Sequence, residues 1–199
     1  RWYKAKDIRI DEIEEPEVTP GRVKIQVAWT GICGSDLHEY LAGPIFVPVN
    51  APHPVSNDIA PVVMGHEFSG TVVELGEGVT SLQIGDEVVV EPILACGTCP
   101  ACLKGKYNIC KDLGFHGLSG GGGGFSEFTV VDERWVHKMP EGLSLEQGAL
   151  VEPAAVALHA VRMSKLKAGD KAVVFGVGPI GLLVIEALKV AGASEIYAV

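Results

Sequence analysis

Four cysteines within fifteen residues constrain the fold of this chain more than any other feature of its sequence. They follow the spacing C-x2-C-x2-C-x7-C, at Cys96, Cys99, Cys102 and Cys110. Two-residue spacers bring thiolates within reach of one ion, and four sulfur atoms complete the tetrahedral shell of Zn2+ without an open position. A redox pair needs only two cysteines, normally beside a βαβ pattern, and iron–sulfur ligation is the less favoured alternative. The spacing therefore predicts a structural zinc ion in a cysteine lobe, residues 91–112.

Charge and hydropathy exclude several classes of partner. The net charge is −9 and the isoelectric point is about 5.1, which opposes binding to nucleic acid or to an anionic membrane. The longest apolar stretch, "AVVFGVGPIGLLVI", is too short for a membrane span and contains glycine and proline. The chain opens without a secretory signal pattern. We therefore expect a cytoplasmic protein with neither nucleic acid nor membrane as a partner.

Up to about residue 140 the pattern is that of a β-rich domain. Strands are predicted in "VKIQVAWTGIC", which alternates in part, and in "SGTVVELGEG" and "GDEVVVEP", which are β-branched runs closed by glycine or proline. A further strand is predicted in "FSEFTVVDE", which follows the same pattern. Five prolines in residues 43–61 predict a long irregular loop. The glycine run at 119–124 is typical of a flexible connector.

After residue 143 the pattern changes to one of alternating helix and strand. Ser144 and Gln147 have capping-box spacing, so a helix should begin there, and Pro153 should either break it or open a second helix. The final thirty residues read as strand, glycine turn, helix and strand, which is one βαβ unit. The overall fold class is therefore α/β.

The glycine turn in this βαβ unit has the spacing of a dinucleotide-binding site. In Gly176-x-Gly178-x-x-Gly181 the glycines allow a tight turn, close approach to a pyrophosphate and close helix–strand packing. We expect the dinucleotide to contact the residues of this turn, namely Gly176, Gly178, Pro179, Ile180 and Gly181. The acidic residue that would separate NAD from NADP is expected beyond Val199, so both cofactors stay open on these residues.

A second metal site would need ligands from outside the cysteine lobe. Cys33 in "GICGSDLHEY" and the pair His66 and Glu67 in "MGHEFSG" offer a thiolate, an imidazole and a carboxylate, which would leave a fourth position for substrate. Ser35 and His38 follow Cys33 closely and add a hydroxyl and a titratable ring. By spacing alone, a buried cysteine and a core histidine are an equally good interpretation.

Taken together, these motifs resemble those of the zinc-dependent medium-chain alcohol dehydrogenases. The resemblance rests on "GHEFSGTVVELGEGV", "GICGSDLHEY", the cysteine lobe and "GVGPIG", and it covers essentially the whole chain. It implies a GroES-like β-rich catalytic domain at 1–145, followed at 146–199 by the start of a truncated Rossmann cofactor domain. Within the family, the proline-rich stretch and the glycine run are most similar to those of the 2,3-butanediol (acetoin) dehydrogenases, with sorbitol and threonine dehydrogenases as near relatives.

The resemblance also implies roles for individual residues. Cys33 and His66 match ligands of a catalytic zinc, and either Glu67 or Glu152 would complete the shell. Ser35 matches the hydroxyl that contacts the substrate oxygen, and His38 matches the base at the end of the proton relay. The other histidines, among them His116, have no such match and are interpreted as structural or solvent-facing.

The resemblance therefore implies an enzyme with two zinc ions per chain, one catalytic and one structural. It would transfer hydride between a secondary alcohol or vicinal diol and NAD, as a homo-oligomer. A polyol or threonine dehydrogenase is the alternative within the family, and a non-catalytic GroES-like interaction module is the alternative outside it. We expect 199 residues to be a fragment with little activity of its own.

Overall fold

The chain folds into two units, Arg1–Ala149 and Leu150–Val199, in the computed structural model, which describes residues 1–199. The strands in chain order are β1 (Trp2–Lys4), β2 (Asp7–Ile8), β3 (Arg22–Thr30), β4 (Phe68–Leu75), β5 (Glu87–Val90), β6 (Ile93–Leu94), β7 (Gly114–Phe115), β8 (Phe128–Asp132), β9 (Val136–Lys138), β10 (Lys171–Val174) and β11 (Glu195–Ala198). The α-helices are α1 (Gly34–Ala42), α2 (Pro100–Leu103), α3 (Leu145–Gly148), α4 (Val151–Met163) and α5 (Pro179–Val190). Single 3-10 turns lie at Tyr107–Ile109 and Glu133–Trp135. None of the helices has the length and apolar character needed to cross a membrane.

A five-stranded antiparallel sheet organises the first unit. Its strand order is β8-β3-β4-β5-β9, and the four longest strands are those predicted from the β-branched runs. Val23, Ile25, Val72 and Val88 are fully buried between these strands and the cysteine lobe. The fold class predicted from the sequence is confirmed, because apolar residues in alternation form the sheet of the first unit and a helix-period pattern follows it.

The second unit contains the predicted βαβ arrangement. Strands β10 and β11 pair in parallel from Lys171 with Glu195 to Val174 with Ala198, and α5 connects them. Parallel neighbours require such a crossover, which the helix provides. Val174 packs with apolar residues of α4 and α5 in a separate small core.

The predicted helix start at Ser144 is confirmed, and the role of Pro153 is resolved. Ser144 Oγ accepts the Gln147 N–H at 3.2 Å, and the Gln147 side chain accepts the Ser144 N–H at 3.0 Å. This capping box opens only the short helix α3, after which α4 begins at Val151. Pro153 lies in the first turn of α4, where its missing N–H removes no helical hydrogen bond.

The interpretation of the glycine run as a flexible connector is wrong. The Gly121 N–H donates to the Asp58 carboxylate at 2.6 Å, and the Gly124 N–H donates to the Gly65 carbonyl at 2.7 Å. A Cβ at Gly123 would overlap the Met64 carbonyl oxygen. The run therefore packs backbone to backbone against the segment that precedes His66, and glycine is required there because of close approach.

His116 is a buried neutral histidine beside this run. Its Nε2 lies 2.8 Å from Thr129 Oγ1, and the residue is only 2% exposed. Burial, with a smaller contribution from the Arg22 charge, lowers the pKa of His116 to about 3. The interpretation of His116 as structural agrees with this burial.

The depressed pKa of His116 predicts a loss of stability on acidification. An unfolded histidine titrates near pH 6.5, so between pH 6.5 and about 3 the unfolded state binds the additional proton. His116 therefore has no effect on the pH dependence of the free energy of unfolding above pH 6.5. As the pH falls below 6.5 the free energy of unfolding decreases, by about 2 kcal/mol at pH 5. Urea unfolding of the full-length protein and of His116→Gln at pH 7 and pH 5 measures it. Equal losses in the two proteins would contradict the prediction.

Candidate metal centres

The four cysteines of the cysteine lobe converge as their spacing predicts. All four sulfur atoms lie within 4.8 Å of one another, and none of them forms a disulfide. Cys110 Sγ lies 3.4 Å from Cys96 Sγ and 4.0 Å from Cys99 Sγ. Zinc–sulfur bonds of about 2.3 Å in a tetrahedron place sulfur atoms about 3.8 Å apart. The donor set and its spacing therefore fit one closed zinc ion.

Backbone N–H groups donate hydrogen bonds to the sulfur atoms of this cluster. The Cys96 and Asp112 N–H groups donate to Cys110 Sγ at 3.4 and 3.3 Å. Backbone hydrogen bonds, first that of Cys102, lower the pKa of Cys99 to about 6, whereas burial raises the pKa of Cys102 to about 12. Burial therefore opposes the thiolate form of Cys102, and a bound cation would favour it.

A second cluster joins Cys33, which precedes α1, to His66 and Glu67, which precede β4. The sulfur, one imidazole nitrogen and one carboxylate oxygen lie within 4.8 Å of one another, and His66 and Glu67 are buried. Burial raises the pKa of the Cys33 thiol, and the Glu67 carboxylate acts in the same direction. Thiolate, imidazole and carboxylate are the donor types that zinc takes, so the residues fit a metal ion with a position left open.

Asp36 is a functional residue that the sequence patterns did not reveal. Its Oδ2 accepts the Cys33 N–H at 2.9 Å, and its Oδ1 lies 3.6 Å from His66 Nδ1. Both Oδ1 and Nδ1 are buried without a hydrogen-bond partner. In the neutral tautomer with the proton on Nδ1, that proton is on the side of Asp36. Nε2 is then unprotonated and is the nitrogen that can bind a metal. Asp36 therefore holds the backbone of Cys33 and places a carboxyl oxygen beside the His66 ring.

Gly31 provides the space for the third donor. The Gly31 N–H donates to the Glu67 carbonyl at 2.7 Å, so the two backbones lie side by side. A Cβ at Gly31 would overlap the Glu67 carboxylate oxygen. The position of the Glu67 side chain therefore depends on a glycine at position 31.

The remaining predicted site residues lie at different distances from this cluster. Ser35 Oγ is 3.2 Å from His66 Nε2, so the hydroxyl borders the metal-binding nitrogen. His38 is exposed on α1, three residues beyond Ser35 and therefore on the same side of the helix. Glu152 belongs to the second unit, in the first turn of α4. Its part in the shell, as an alternative to Glu67, stays a prediction.

The glycine turn of the second unit has the backbone that the spacing predicts. Gly176 has a φ of +96°, a conformation that favours glycine, and Gly178 is the N-cap of α5. A Cβ at Gly181 would overlap the Gly176 carbonyl oxygen, whereas nothing lies within 4 Å of a Cβ at Gly178. Pro179 and Ile180 open the helix, and the first N–H groups of a helix have no partner within it.

The chain is similar to known proteins over its whole length. Residues 19–141 match the family model described as alcohol dehydrogenase GroES-like domain. The chain is 67% identical to (R,R)-butanediol dehydrogenase of Bacillus subtilis (strain 168) over 199 residues, covering 100% of the chain and 56% of that relative. It therefore spans about half the length of the relative it matches.

The chain also matches solved structures of dehydrogenases. The crystal structure of 2R,3R-butanediol dehydrogenase from Bacillus subtilis matches with a TM-score of 0.93 at 67% identity, over 100% of the chain and 56% of that structure. A putative zinc-binding dehydrogenase from Sinorhizobium meliloti 1021, solved with NADP bound, matches with a TM-score of 0.87 at 33% identity, over 98% of the chain and 53% of that structure.

Proposed function

Because the chain belongs to the alcohol dehydrogenase family defined by the GroES-like domain, we propose that the full-length protein oxidises a vicinal diol to a hydroxyketone. The pair we propose is 2,3-butanediol and acetoin, with NAD as the hydride acceptor. One observation carries this proposal: Cys33, His66 and Glu67 form an open donor set that Ser35 borders at 3.2 Å from His66. The identity of 67% with a butanediol dehydrogenase supports the choice of substrate.

We propose two zinc ions per chain, with different tasks. The four cysteines of the cysteine lobe would hold a structural ion. Cys33, His66 and Glu67 would hold the catalytic ion, with Glu152 as the alternative carboxylate. The chemistry that zinc supplies in such an open site is Lewis-acid polarisation of an alcohol oxygen, which lowers the pKa of the alcohol.

The side chains around the site would position the alcohol and remove its proton. Ser35 Oγ stands beside His66, where it can accept a hydrogen bond from a substrate hydroxyl. His38 is exposed on the same side of α1, so it can exchange a proton with water at the end of the relay. Asp36 Oδ1 lies 3.6 Å from His66 Nδ1, where it would orient the ring and so help to keep the donor set in place.

The second unit would supply one part of the cofactor site. We propose that the N-terminus of α5 binds the pyrophosphate through the backbone of the glycine turn, and that the nicotinamide supplies the hydride acceptor. Residues 1–145 would then be the catalytic domain and 146–199 the start of the cofactor domain. We also propose a homo-oligomer for the full-length protein.

Two alanine substitutions in the glycine turn are expected to separate cofactor binding from folding. Gly178→Ala meets no protein atom and keeps an ordinary φ of −71°, so the fold should tolerate it while the pyrophosphate loses its close approach. We expect roughly tenfold weaker NAD+ binding and an unchanged midpoint of thermal unfolding. Gly181→Ala forces the Gly176 carbonyl away and should reduce the free energy of unfolding by about 1–3 kcal/mol.

Titration calorimetry with NAD+ and thermal denaturation without cofactor measure the two effects, and each variant is the control for the other. Unchanged NAD+ affinity in Gly178→Ala would contradict the proposed position of the pyrophosphate. An unchanged unfolding midpoint in Gly181→Ala would contradict the close packing of the turn.

A substrate comparison tests the proposed activity. We expect the full-length protein to reduce NAD+ fastest with 2,3-butanediol, and more slowly with sorbitol or threonine at equal concentration. A preference for sorbitol or threonine would retain the zinc chemistry and overturn the substrate. No turnover with any of the three, in protein that contains zinc, would overturn the proposed substrate class. Repeating the assay with NADP+ determines the cofactor.

A further inference from the structure

Glu39 is a fully buried carboxyl group that the mechanism above does not use. It is 0% exposed, and it lies near the end of α1. Its Oε1 accepts the backbone N–H groups of Ile45, Phe46 and Val47, the first and last at 3.0 and 3.1 Å. Its carbonyl oxygen accepts the Trp2 indole N–H at 2.9 Å. A buried carboxyl group that receives three N–H groups from one segment holds the backbone of that segment.

Two buried acidic residues share one face of α1. Asp36 and Glu39 are three residues apart, which places them on the same side of the helix, about 4.5 Å apart along its axis. Asp36 contacts the metal cluster through Cys33 and His66, whereas Glu39 contacts the proline-rich loop, residues 43–61. A single helix of nine residues therefore links the position of the loop to the position of the metal cluster.

The first part of the proline-rich loop has a fixed backbone but presents apolar side chains to solvent. Ser119 Oγ donates to the Phe46 carbonyl at 3.2 Å, and the rings of Phe46 and Phe115 meet edge to face at 5.5 Å. Nevertheless Ile45, Phe46 and Val49 are 54%, 43% and 37% exposed. We call these three side chains the apolar rim. An apolar rim on a held backbone is suited to contact the carbon chain of a small ligand.

We propose that Glu39 is a positioning residue for substrate binding, and this proposal rests on the proposed diol dehydrogenase function. By holding the N–H groups of residues 45–47, Glu39 sets the distance between the apolar rim and the donor set of Cys33, His66 and Glu67. In this arrangement the alcohol binds with a hydroxyl group at the donor set while the apolar end of its carbon chain contacts the apolar rim.

The variant Glu39→Gln in the full-length protein tests the proposal, with Glu141→Gln at an exposed glutamate as the matched control. The amide has nearly the same volume as the carboxyl group but has an NH2 group in place of one of the two oxygens that accept the Ile45 N–H. We expect the N–H groups of Ile45, Phe46 and Val47 to exchange with deuterium at least about tenfold faster. The KM for 2,3-butanediol should rise roughly tenfold. The zinc content should not change, and kcat and the KM for NAD+ should stay within about twofold of the wild type.

A second variant keeps the test decisive if Glu39→Gln folds poorly. Ile45→Ala removes an exposed side chain of the apolar rim and should raise the KM for 2,3-butanediol with unchanged kcat and unchanged amide exchange. Faster amide exchange with an unchanged KM in Glu39→Gln, or an unchanged KM in Ile45→Ala, would overturn the proposal. Unchanged amide exchange in Glu39→Gln would contradict the claim that Glu39 holds the backbone of residues 45–47.

Failure of the proposed substrate is a separate outcome. If the wild type does not oxidise 2,3-butanediol, the amide-exchange measurement still tests whether Glu39 holds residues 45–47. The KM measurement is then made with whichever of sorbitol and threonine the wild type oxidises faster, or, if it oxidises neither, with ethanol and 2-propanol. If the KM for the alcohol that the wild type oxidises is unchanged in both Glu39→Gln and Ile45→Ala, the positioning role is overturned. It is also overturned if the wild type oxidises none of these alcohols.

Discussion

Replacing Cys33 with serine in the full-length protein is expected to reduce kcat/KM for 2,3-butanediol by at least about 10³-fold. A serine hydroxyl is a poor zinc ligand, so the donor set would be reduced to His66 and Glu67 and would no longer hold the ion. Zinc analysis should find one ion per chain in place of two. Steady-state kinetics and the zinc content of the same preparation measure both effects.

The cysteine lobe provides the internal control for this variant. Cys33 lies outside residues 91–112, so the structural ion and the thermal stability of the lobe should remain. Unchanged zinc content and unchanged activity in Cys33→Ser would contradict the assignment of Cys33 as a ligand. Loss of both ions would show that the substitution had damaged the fold instead.

Replacing Cys110 with serine is expected to remove the structural ion and to reduce the stability of the protein. Cys110 is 7% exposed, and it packs in the same core as the five-stranded sheet. Structural zinc sites contribute about 10–16 kcal/mol of apparent binding free energy in small domains, so loss of this ion should destabilise the protein by at least about 3 kcal/mol. Thermal unfolding followed by circular dichroism, together with zinc analysis, measures the loss.

Thr98→Ala is the matched control within the same lobe. The exposed Thr98 hydroxyl donates one long hydrogen bond, 3.7 Å, to Cys96 Sγ, so its removal should change stability by less than about 0.5 kcal/mol. A Cys110→Ser protein that retains the lobe's zinc and unfolds like the wild type would contradict a structural metal. An iron–sulfur cluster in the wild type would show as visible absorbance and iron.

Local sequence patterns were sufficient for most of the secondary structure. The strands β3, β4, β5 and β8 and the βαβ unit were predictable because their apolar periodicity and turn residues agree with their tertiary environment. The cysteine lobe was predictable for a related reason, since two-residue spacers bring three of the four sulfur atoms together with little help from the rest of the fold.

The residues that were missed act across the fold. Asp36 and His66 are thirty positions apart, and Asp36 looks like an ordinary acidic residue in the first turn of a helix. Glu39, in the pattern "SDLHEY", looks solvent-facing because no periodicity marks a buried carboxyl group. The glycine run was misread because its burial depends on the backbones of Met64 and Gly65, which are far away in the sequence.

We propose that the full-length protein oxidises a diol with a zinc ion held by Cys33, His66 and Glu67. The most direct test is the rate of NAD+ reduction with 2,3-butanediol before and after a chelator removes the more accessible zinc ion, and again after zinc is restored. We predict that turnover is lost with the first ion removed and returns with added zinc. Turnover that persists in protein without that zinc would contradict a catalytic role for the ion.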